Sequence, residues 1–287
     1  MSTSITRQTI ELDLRSLGIS LGDTILIRAG LRNVGRVARS QFLEALLDAV
    51  GTEGTVVSLA FTGGSFIWGA NQIVPFTLSS PSYAGALPNT MLEHPNAHRS
   101  KHPQCSYVAI GKHAESITAG HGPNSGAYEP VRKIMDLNGK VVLVGCVSDS
   151  PGFTTAHLAE VDLGLHKRVI MPRLNVAKYY DENGQLKIFM RNDPGLCSNS
   201  FWKFYSYYVK HGVLNTGMVG NAYSILARSV QCYEIEREIL KNNPQFSICD
   251  SPDCITCNVL RWDRLHHIPM FLIRRIFAKK KKHHNKK

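Results

Sequence analysis

The chain has 287 residues, 43% of them apolar and 19% charged, which is ordinary globular composition and enough length to bury a full core. Its formal net charge is +11, yet the segment from Arg261 onward holds ten basic side chains against the single acid Asp263. The first 260 residues are therefore nearly neutral, which argues against nucleic-acid binding by the folded body. No stretch is apolar enough to span a membrane and residues 1–14 lack the apolar run of a secretory signal, so we expect a cytoplasmic protein.

The N-terminal part of the chain alternates helix and strand patterns. Ile10, Leu14 and Leu17 recur at helical spacing and predict a helix over 5–17 that ends at Gly18. The next predicted elements are a strand over 24–27, a helix over 40–50 and a strand over 55–61. A strand–helix–strand order requires crossover connections, so we expect largely parallel pairing in an α/β sheet.

A long stretch with little periodicity, residues 61–83, contains Gly63-Gly64 and predicts a loop that is either functional or disordered. The elements predicted after it are a helix over 84–93, a strand over 107–110, a strand over 140–144, a hairpin joining 175–180 to 185–190, and the longest helix over 222–240. No internal repeat is present. A single α/β domain with a small appendix and a pair of domains both remain open.

A candidate catalytic histidine follows the strand over 140–144. The turn cluster 149–152 leads from this strand into a predicted helix. On that helix Thr154, His157 and Glu160 lie at i, i+3 and i+6, so one face carries an imidazole between a hydroxyl and a carboxylate. Such a pair can act as a general base near neutral pH, or it can be only a solvated or core-capping pair. Its position just beyond a strand's carboxyl end, where open α/β sheets bind ligands, favours the base.

Several spaced segments together resemble one known family. These segments are 14–19, 22–23, 46–51, 53–55, 99–103 with Ser106, and 154–160. In this order and spacing they resemble the aminoglycoside N3-acetyltransferase family, whose fold is unrelated to that of the GNAT acetyltransferases, over about residues 3–190. The resemblance implies a layered α/β sheet with flanking helices. It also implies direct transfer from acetyl-CoA in a ternary complex, without an acyl-enzyme.

Roles for individual residues follow from this chemistry. We hypothesise that His157 takes a proton from the substrate amine, Glu160 orients the imidazole, and Thr154 hydrogen-bonds the thioester carbonyl or its oxyanion. The candidate cofactor-binding residues are Arg99, Ser100, His102 and Ser106. Arg99 can hold a phosphate of CoA or of the acceptor bidentately, and the alternative for each of these residues is a purely structural hydrogen bond.

The chain also departs from the family pattern. Arg28-Ala29-Gly30-Leu31 stands where the family usually reads His-Ser-Ser-Leu, and Glu129-Pro130 replaces Ser-Pro. These departures argue against antibiotic acetylation, and segments 149–155 and 194–198 look more like relatives from bacterial surface-polysaccharide pathways. The predicted function is acetyl-CoA-dependent N-acetylation of an amino sugar or its nucleotide- or lipid-linked form. The alternatives are aminoglycoside 3-N-acetylation and a non-catalytic relative that binds CoA and sugar.

Seven cysteines, an odd number, without an export signal argue against a disulfide framework. Three of them form the pattern Cys249-x4-Cys254-x2-Cys257, which is typical of part of a tetrahedral zinc site and less so of an iron–sulfur site. Cys197, which follows a Pro-Gly turn, is the predicted fourth ligand. The alternatives are Cys232 and His266. Four sulfur ligands leave no open position, so such a site is structural; the other interpretation is a set of unligated thiols.

The C-terminal end combines apolar and cationic residues. Seven apolar residues between Ile268 and Phe277 precede six lysines from Lys279 onward. This pattern can lie in an anionic membrane interface, and the alternative is a flexible solubilising tail. We therefore divide the chain into an acetyltransferase-like domain over 1–248, a cysteine-containing appendix over 249–267 and a basic amphipathic tail over 268–287.

Overall fold

The computed structural model describes residues 5–284, so residues 1–4 of the first predicted domain and 285–287 of the predicted tail lie outside it. The strands are β1 (Thr24–Ala29), β2 (Thr55–Leu59), β3 (Ser65–Phe66), β4 (His98–Arg99), β5 (Tyr107–Gly111), β6 (Lys140–Val144), β7 (Asn175–Tyr180), β8 (Leu186–Met190), β9 (Asn215–Val219) and β10 (Ala222–Arg228). The α-helices are α1 (Arg7–Leu17), α2 (Leu31–Val34), α3 (Arg39–Val50), α4 (Ala86–Leu92), α5 (Ala114–Thr118), α6 (Glu129–Asp136), α7 (Thr155–Asp162), α8 (Tyr205–Lys210), α9 (Ser229–Asn242), α10 (Ile255–Asn258) and α11 (Ile268–His284). Short 3-10 helices lie at Ile67–Gln72, Leu165–Arg168, Pro172–Leu174, Phe201–Phe204 and Trp262–His267.

The main sheet has seven strands in the order β4-β5-β2-β1-β6-β10-β9. Among residues 5–284, only the central strands of this sheet are parallel, with β1 between β2 and β6, and every other pair is antiparallel. The prediction of largely parallel pairing is therefore wrong outside this central trio. The strands β9 and β10 form a tight hairpin, and a hairpin permits only antiparallel pairing.

The sheet is buried on both faces, as the apolar run in β6 indicates. Val141 and Leu143 point into a core shared with α6, α7 and α9, while Val142 and Val144 point into a second core shared with α1 and α3. Successive strand residues face opposite sides, so an uninterrupted apolar strand requires helices on both. The predicted layered sheet with flanking helices is confirmed.

The helix predicted over 222–240 is wrong in its first third. Ala222–Arg228 is strand β10, and the helix α9 begins at Ser229. Val219 pairs with Ala222 across a two-residue turn in which Gly220 has φ 56°, a conformation that glycine adopts without strain. Pairing with β6 and β9 fixes this segment as strand, which local periodicity does not reveal.

The predicted hairpin is present as β7 and β8, and β3 adds a third strand to it. The long loop over 61–83 contributes β3 and the 3-10 helix Ile67–Gln72. Phe76 forms a bridge with Tyr179, so this loop packs on the small sheet instead of extending into solvent. The loop thereby covers the β4–β5 side of the molecule through contacts described below.

The appendix contains α10 and the 3-10 helix Trp262–His267, and α11 follows directly. Phe271 of α11 is buried. Within residues 5–284, no helix combines the length and apolar character needed to cross a membrane. The divisions after residues 248 and 267 stay predictions.

Candidate active site

His157 lies on α7, which a glycine-bounded loop places beyond the carboxyl end of β6. Gly145 and Gly152 have positive φ values of 62° and 74°. His157 Nδ1 lies 2.9 Å from Glu160 Oε2, and because a carboxylate oxygen only accepts, the neutral imidazole carries its proton on Nδ1 and keeps a lone pair on Nε2. The Glu160 side chain is 1% exposed and that of His157 is 16% exposed. The structure thus brings the predicted base and its orienting carboxylate together.

Thr154 is the residue before α7. Its side chain is buried and does not cap the helix, while its carbonyl accepts the His157 backbone N–H at 3.1 Å. The Thr154 hydroxyl therefore makes no capping hydrogen bond to the start of α7. Its predicted contact with the thioester carbonyl stays a prediction.

Two aromatic side chains pack against the imidazole. The Tyr128 ring stacks on His157 at 5.2 Å and 20°, and the Phe201 ring lies 4.7 Å from it at 56°. At Gly195 an added Cβ would meet the Tyr128 hydroxyl and lie 3.6 Å from His157 Cε1, so the backbone itself closes this side. Sequence reasoning missed Tyr128, Phe201 and Gly195, because no local pattern connects these distant segments.

A second buried carboxyl anchors α7 to α9. Thr155 Oγ1 donates to Glu236 Oε1 at 2.9 Å, and the Tyr208 hydroxyl donates to the same oxygen. Burial raises the pKa of Glu236 well above the usual range of a carboxyl group. The helix that carries His157 is therefore held by hydrogen bonds as well as by packing.

Arg99 and Ser106, predicted to bind cofactor, belong to a structural network. Arg99 Nε donates to Ser106 Oγ at 3.1 Å, and Nη1 donates to the carbonyls of Leu78 (2.9 Å) and Ser80. Nη2 donates to the Ala60 carbonyl at 2.9 Å, and burial lowers the pKa of Arg99 to about 10. The guanidinium fastens the long loop to β2 and β5, and a bidentate phosphate contact would require these bonds to break.

Ser100 and His102 lie in a second buried network, with His121. Ser100 Oγ accepts the Tyr107 N–H at 2.9 Å and lies 2.9 Å from His121 Nδ1. His102 Nδ1 accepts the backbone N–H groups of Gln104 and Cys105, so its proton lies on Nε2, which has no partner within the described residues. Through these hydrogen bonds both residues stabilise the fold. Their predicted role in binding CoA stays a prediction.

Arg28 and Glu129, the two positions at which the sequence departs from the family pattern, both stabilise loops through hydrogen bonds. Arg28 Nη1 donates to Ser150 Oγ at 2.9 Å, and Nη2 donates to the carbonyls of Ser150 (3.0 Å) and Gly152. Burial lowers the pKa of Arg28. Glu129 Oε1 accepts the Gly126 N–H at 2.7 Å. Arg28 thus connects the end of β1 to the loop that leads into α7.

A cleft of ≈ 630 Å³ opens at the carboxyl end of β6. Its lining combines amide and hydroxyl groups with aromatic rings: Asn33, Gly145, Val147, Ser148, Trp202, Tyr205, Asn221, Ala222 and Tyr223. Trp202 is adjacent in sequence to Phe201, which contacts His157. The size and mixed lining are typical of a small-molecule site.

The four cysteines predicted as metal ligands form one group. The Sγ atoms of Cys197, Cys249, Cys254 and Cys257 all lie within 4.8 Å of one another. Neither alternative fourth ligand, Cys232 or His266, belongs to this group, and Cys232 is a buried core residue of α9. Hydrogen bonding from Cys197 lowers the pKa of Cys257. Cys146 follows the end of β6 and is only partly buried.

Comparison with known proteins gives a consistent result. The family model described as "Aminoglycoside 3-N-acetyltransferase" matches residues 26–241. The aminoglycoside N(3)-acetyltransferase III of Serratia marcescens is 33% identical over 251 residues, which are 77% of this chain and 91% of the relative. The enzyme of the same name from a Salmonella species is 31% identical over 259 residues, which are 79% of this chain and 86% of the relative.

Solved structures agree with the sequence comparison. The chain is similar to "AAC-IIIb binary with CoASH", with a TM-score of 0.72, 27% identity and coverage of 83% of this chain and 96% of that one. It is similar to the apoenzyme of the aminoglycoside acetyltransferase AAC(3)-IVa, with a TM-score of 0.74, 25% identity and coverage of 90% and 96%. A mutant of AAC(3)-IVa in complex with a gentamicin gives a TM-score of 0.73 at 25% identity, with coverage of 91% and 98%.

Proposed function

Because the chain belongs to the aminoglycoside 3-N-acetyltransferase family, it is an acetyl-CoA-dependent N-acetyltransferase, and we propose that its acceptor is the 3-amino group of an aminoglycoside. The observation that carries the proposal is the His157–Glu160 pair, sheltered between Tyr128 and Phe201 with Nε2 left as the basic nitrogen. A protein that only bound CoA and sugar would have no use for a base held in this way.

Comparison with relatives changes the acceptor expected from the sequence. The departures at Arg28 and Glu129 argued against antibiotic acetylation, but these side chains hold loops and leave the His157–Glu160 pair intact. The relatives described above are named for aminoglycosides, and nothing in them supports a polysaccharide acceptor. Aminoglycosides are themselves amino sugars, so the broader class of acceptor is unchanged.

The chemistry requires a neutral amine. His157 Nε2 accepts a proton from the acceptor nitrogen as this nitrogen attacks the acetyl carbonyl, which forms a C–N bond and a tetrahedral oxyanion. The C–S bond then breaks, the amide forms, and CoA leaves as the thiol after it receives the proton from the His157 imidazolium. Glu160 stabilises the imidazolium in between, and the Thr154 hydroxyl donates to the oxyanion.

The environment of the Cys146 thiol is consistent with direct transfer of the acetyl group from acetyl-CoA to the acceptor. Burial raises the pKa of the Cys146 thiol, and its Sγ contacts the Arg28 carbonyl at 3.5 Å. A thiol kept protonated is a poor nucleophile, so this residue does not support an acyl-enzyme. The cleft beside Trp202 and Tyr205 supplies the polar and aromatic surface for substrate.

The test is acetylation of a panel of acceptors by the purified protein, with mass-spectrometric detection of the acetylated product. Gentamicin and apramycin represent aminoglycosides, and a nucleotide-linked amino sugar represents the other acceptor class. We expect acetylated aminoglycoside with wild type and with the control His211→Ala, whose histidine is exposed. Acetylation of the nucleotide sugar alone would contradict the proposed acceptor, and no product with any amine would contradict the enzymatic function.

We also propose that the tail contacts an anionic membrane surface. On α11 the side chains of Leu272, Ile273 and Ile276 are 53%, 47% and 56% exposed, while Phe271 packs inward. Six lysines follow from Lys279 onward. Exposed apolar residues beside a cationic run suit the boundary between acyl chains and acidic headgroups.

A further inference from the structure

The segment 195–204, called here the Cys197 segment, touches His157 at two points. Gly195 lies against the imidazole edge, and the Phe201 ring lies 4.7 Å from the imidazole ring. Trp202 of the same segment lines the cleft. The position of this segment therefore sets both the orientation of the proposed base and the shape of the cleft wall.

The Cys197 segment is fastened to the start of the appendix. Ser200 Oγ donates to the Ser247 carbonyl, and Lys203 Nζ donates to the Ile248 carbonyl at 3.0 Å. Lys203 Nζ also lies 3.1 Å from a carboxylate oxygen of Asp250. These contacts join the segment to the residues that flank Cys249.

The apolar core around the cysteines themselves is small. The local core consists of three buried residues, Ile248, Cys249 and Cys257, with Cys197 and Cys254 packed against them. A core of this size is too small to order a short appendix, and proteins that lack a core use disulfides or metals in its place. All four cysteines are free thiols, so a metal ion bound by them can supply such a cross-link.

The arrangement of the four sulfur atoms fits a tetrahedral ion. Zinc bonds thiolate sulfur at about 2.3 Å, which sets sulfur atoms about 3.8 Å apart. The four Sγ atoms lie within 4.8 Å of one another, and Cys254 Sγ lies 3.6 Å from Cys197 Sγ. A contraction of less than about 1 Å closes the site, and the cysteines come from both sides of the junction.

We propose that Cys197, Cys249, Cys254 and Cys257 bind one zinc ion, and that this ion holds the Cys197 segment against His157. Four protein ligands leave no open position, so the ion takes no part in acetyl transfer. It acts as a cross-link between the appendix and the wall of the active site. The link to turnover rests on the proposed function, whereas metal binding does not.

Metal content is the first test. Protein purified under reducing conditions without chelator should contain about one zinc per chain by elemental analysis, and Cys254→Ser should lose it. Cys254→His, which still offers a ligand, should retain most of it. Cys232→Ala, a buried cysteine outside the group, is the matched control and should keep the full zinc content. Wild-type protein without zinc, or zinc retained in Cys254→Ser, would overturn the proposal.

Hydrogen exchange and kinetics test the cross-link. Removing zinc with a chelator should speed amide exchange in 196–204 while the exchange of β1 and β6 stays slow, a readout that needs no turnover. In Cys254→Ser, kcat should fall roughly tenfold to a hundredfold through misplacement of the base, and Cys254→His should recover most of this loss. Unchanged exchange in 196–204 after zinc removal would overturn the positioning role even if acetyl transfer is confirmed.

Discussion

His102 and His121 stack on each other with ring centroids 4.9 Å apart, and both side chains are almost completely buried. Burial lowers the pKa of His102 to about 3 and that of His121 to about 4. In the unfolded chain each imidazole titrates near 6.5. The folded protein therefore excludes two protons that the unfolded chain accepts, and stability present above about pH 6.5 is lost as the pH falls towards 4.

We expect the free energy of unfolding in urea to be about 2 kcal/mol lower at pH 5.5 than at pH 7, because each excluded proton contributes a slope of about 1.4 kcal/mol per pH unit. The variant His121→Gln should flatten this dependence by about half. The exposed His98 gives the control, since His98→Gln should leave the slope as it is in wild type. A wild-type stability that is level between pH 7 and 5.5 would contradict this account.

The Arg28 contacts give a second prediction. In Arg28→Lys the charge remains, but one ammonium cannot reach the three oxygen atoms of Ser150 and Gly152 that the guanidinium binds. We expect about 1–3 kcal/mol lower stability in denaturant titrations and a lower kcat, because the loop before α7 loosens. Arg39→Lys, at an exposed position, is the matched control. Equal stability and kcat in the two variants would mean that Arg28 does not hold this loop.

His157 itself gives the third prediction. In His157→Ala the acetylation rate should fall by about two to four decades, since proton transfer contributes on the order of 10²–10⁴ to the rate. Affinity for acetyl-CoA, measured by calorimetry, should stay within about threefold, because proton transfer acts in the transition state. Full turnover in His157→Ala would remove the general-base mechanism.

The fourth prediction concerns Glu160, which contacts the imidazole and not the substrate. Glu160→Gln keeps an oxygen for the Nδ1–H but loses the charge that stabilises the imidazolium. We expect kcat to fall less than in His157→Ala, with KM for both substrates within about twofold. A large rise in KM with kcat unchanged would assign Glu160 to substrate binding instead of to the base.

Local patterns predicted much of this molecule. The strand over 140–144 coincides with β6, and the i, i+3 spacing of His157 and Glu160 brings the two side chains into contact. The grouping of the cysteines was also predictable in part, because Cys249, Cys254 and Cys257 lie close together in sequence. In each case the prediction depends on residues that are close together in the sequence or on a residue type with a distinctive chemistry, such as cysteine.

The failures arise where distant parts of the chain decide the outcome. Gly220-Asn221 is a dipeptide typical of a two-residue β-hairpin turn. The apolar residues that follow it also fit the spacing of a helix. Their pairing with β6 and β9 determines that they form a strand. Tyr128 and Phe201 meet His157 only through tertiary packing. The carbonyl partners that the long loop supplies to Arg99 are likewise invisible in the sequence, and the predicted phosphate contact of Arg99 stays a prediction.

The last prediction separates the apolar and cationic parts of the tail. Replacing Leu272, Ile273 and Ile276 by Ser removes exposed apolar surface while the buried Phe271 stays in place, so the appendix should keep its fold. Replacing the lysines at 279–282 by Gln removes an attraction of about 1 kcal/mol each near an acidic surface. Both variants should sediment less with vesicles that contain phosphatidylserine than wild type does.

Salt distinguishes the two contributions, since screening weakens the lysine attraction and leaves apolar burial largely intact. Wild-type binding should therefore fall in high salt, and the binding left in the 279–282 variant should depend less on salt than that of wild type. Acetylation of a soluble acceptor should match wild type in both variants, because the proposed base and its partners lie on α7 and the Cys197 segment. Phosphatidylcholine vesicles, which carry no net charge, are the control surface. Full-length protein that ignores phosphatidylserine vesicles even at low salt would identify the tail as a solvated extension.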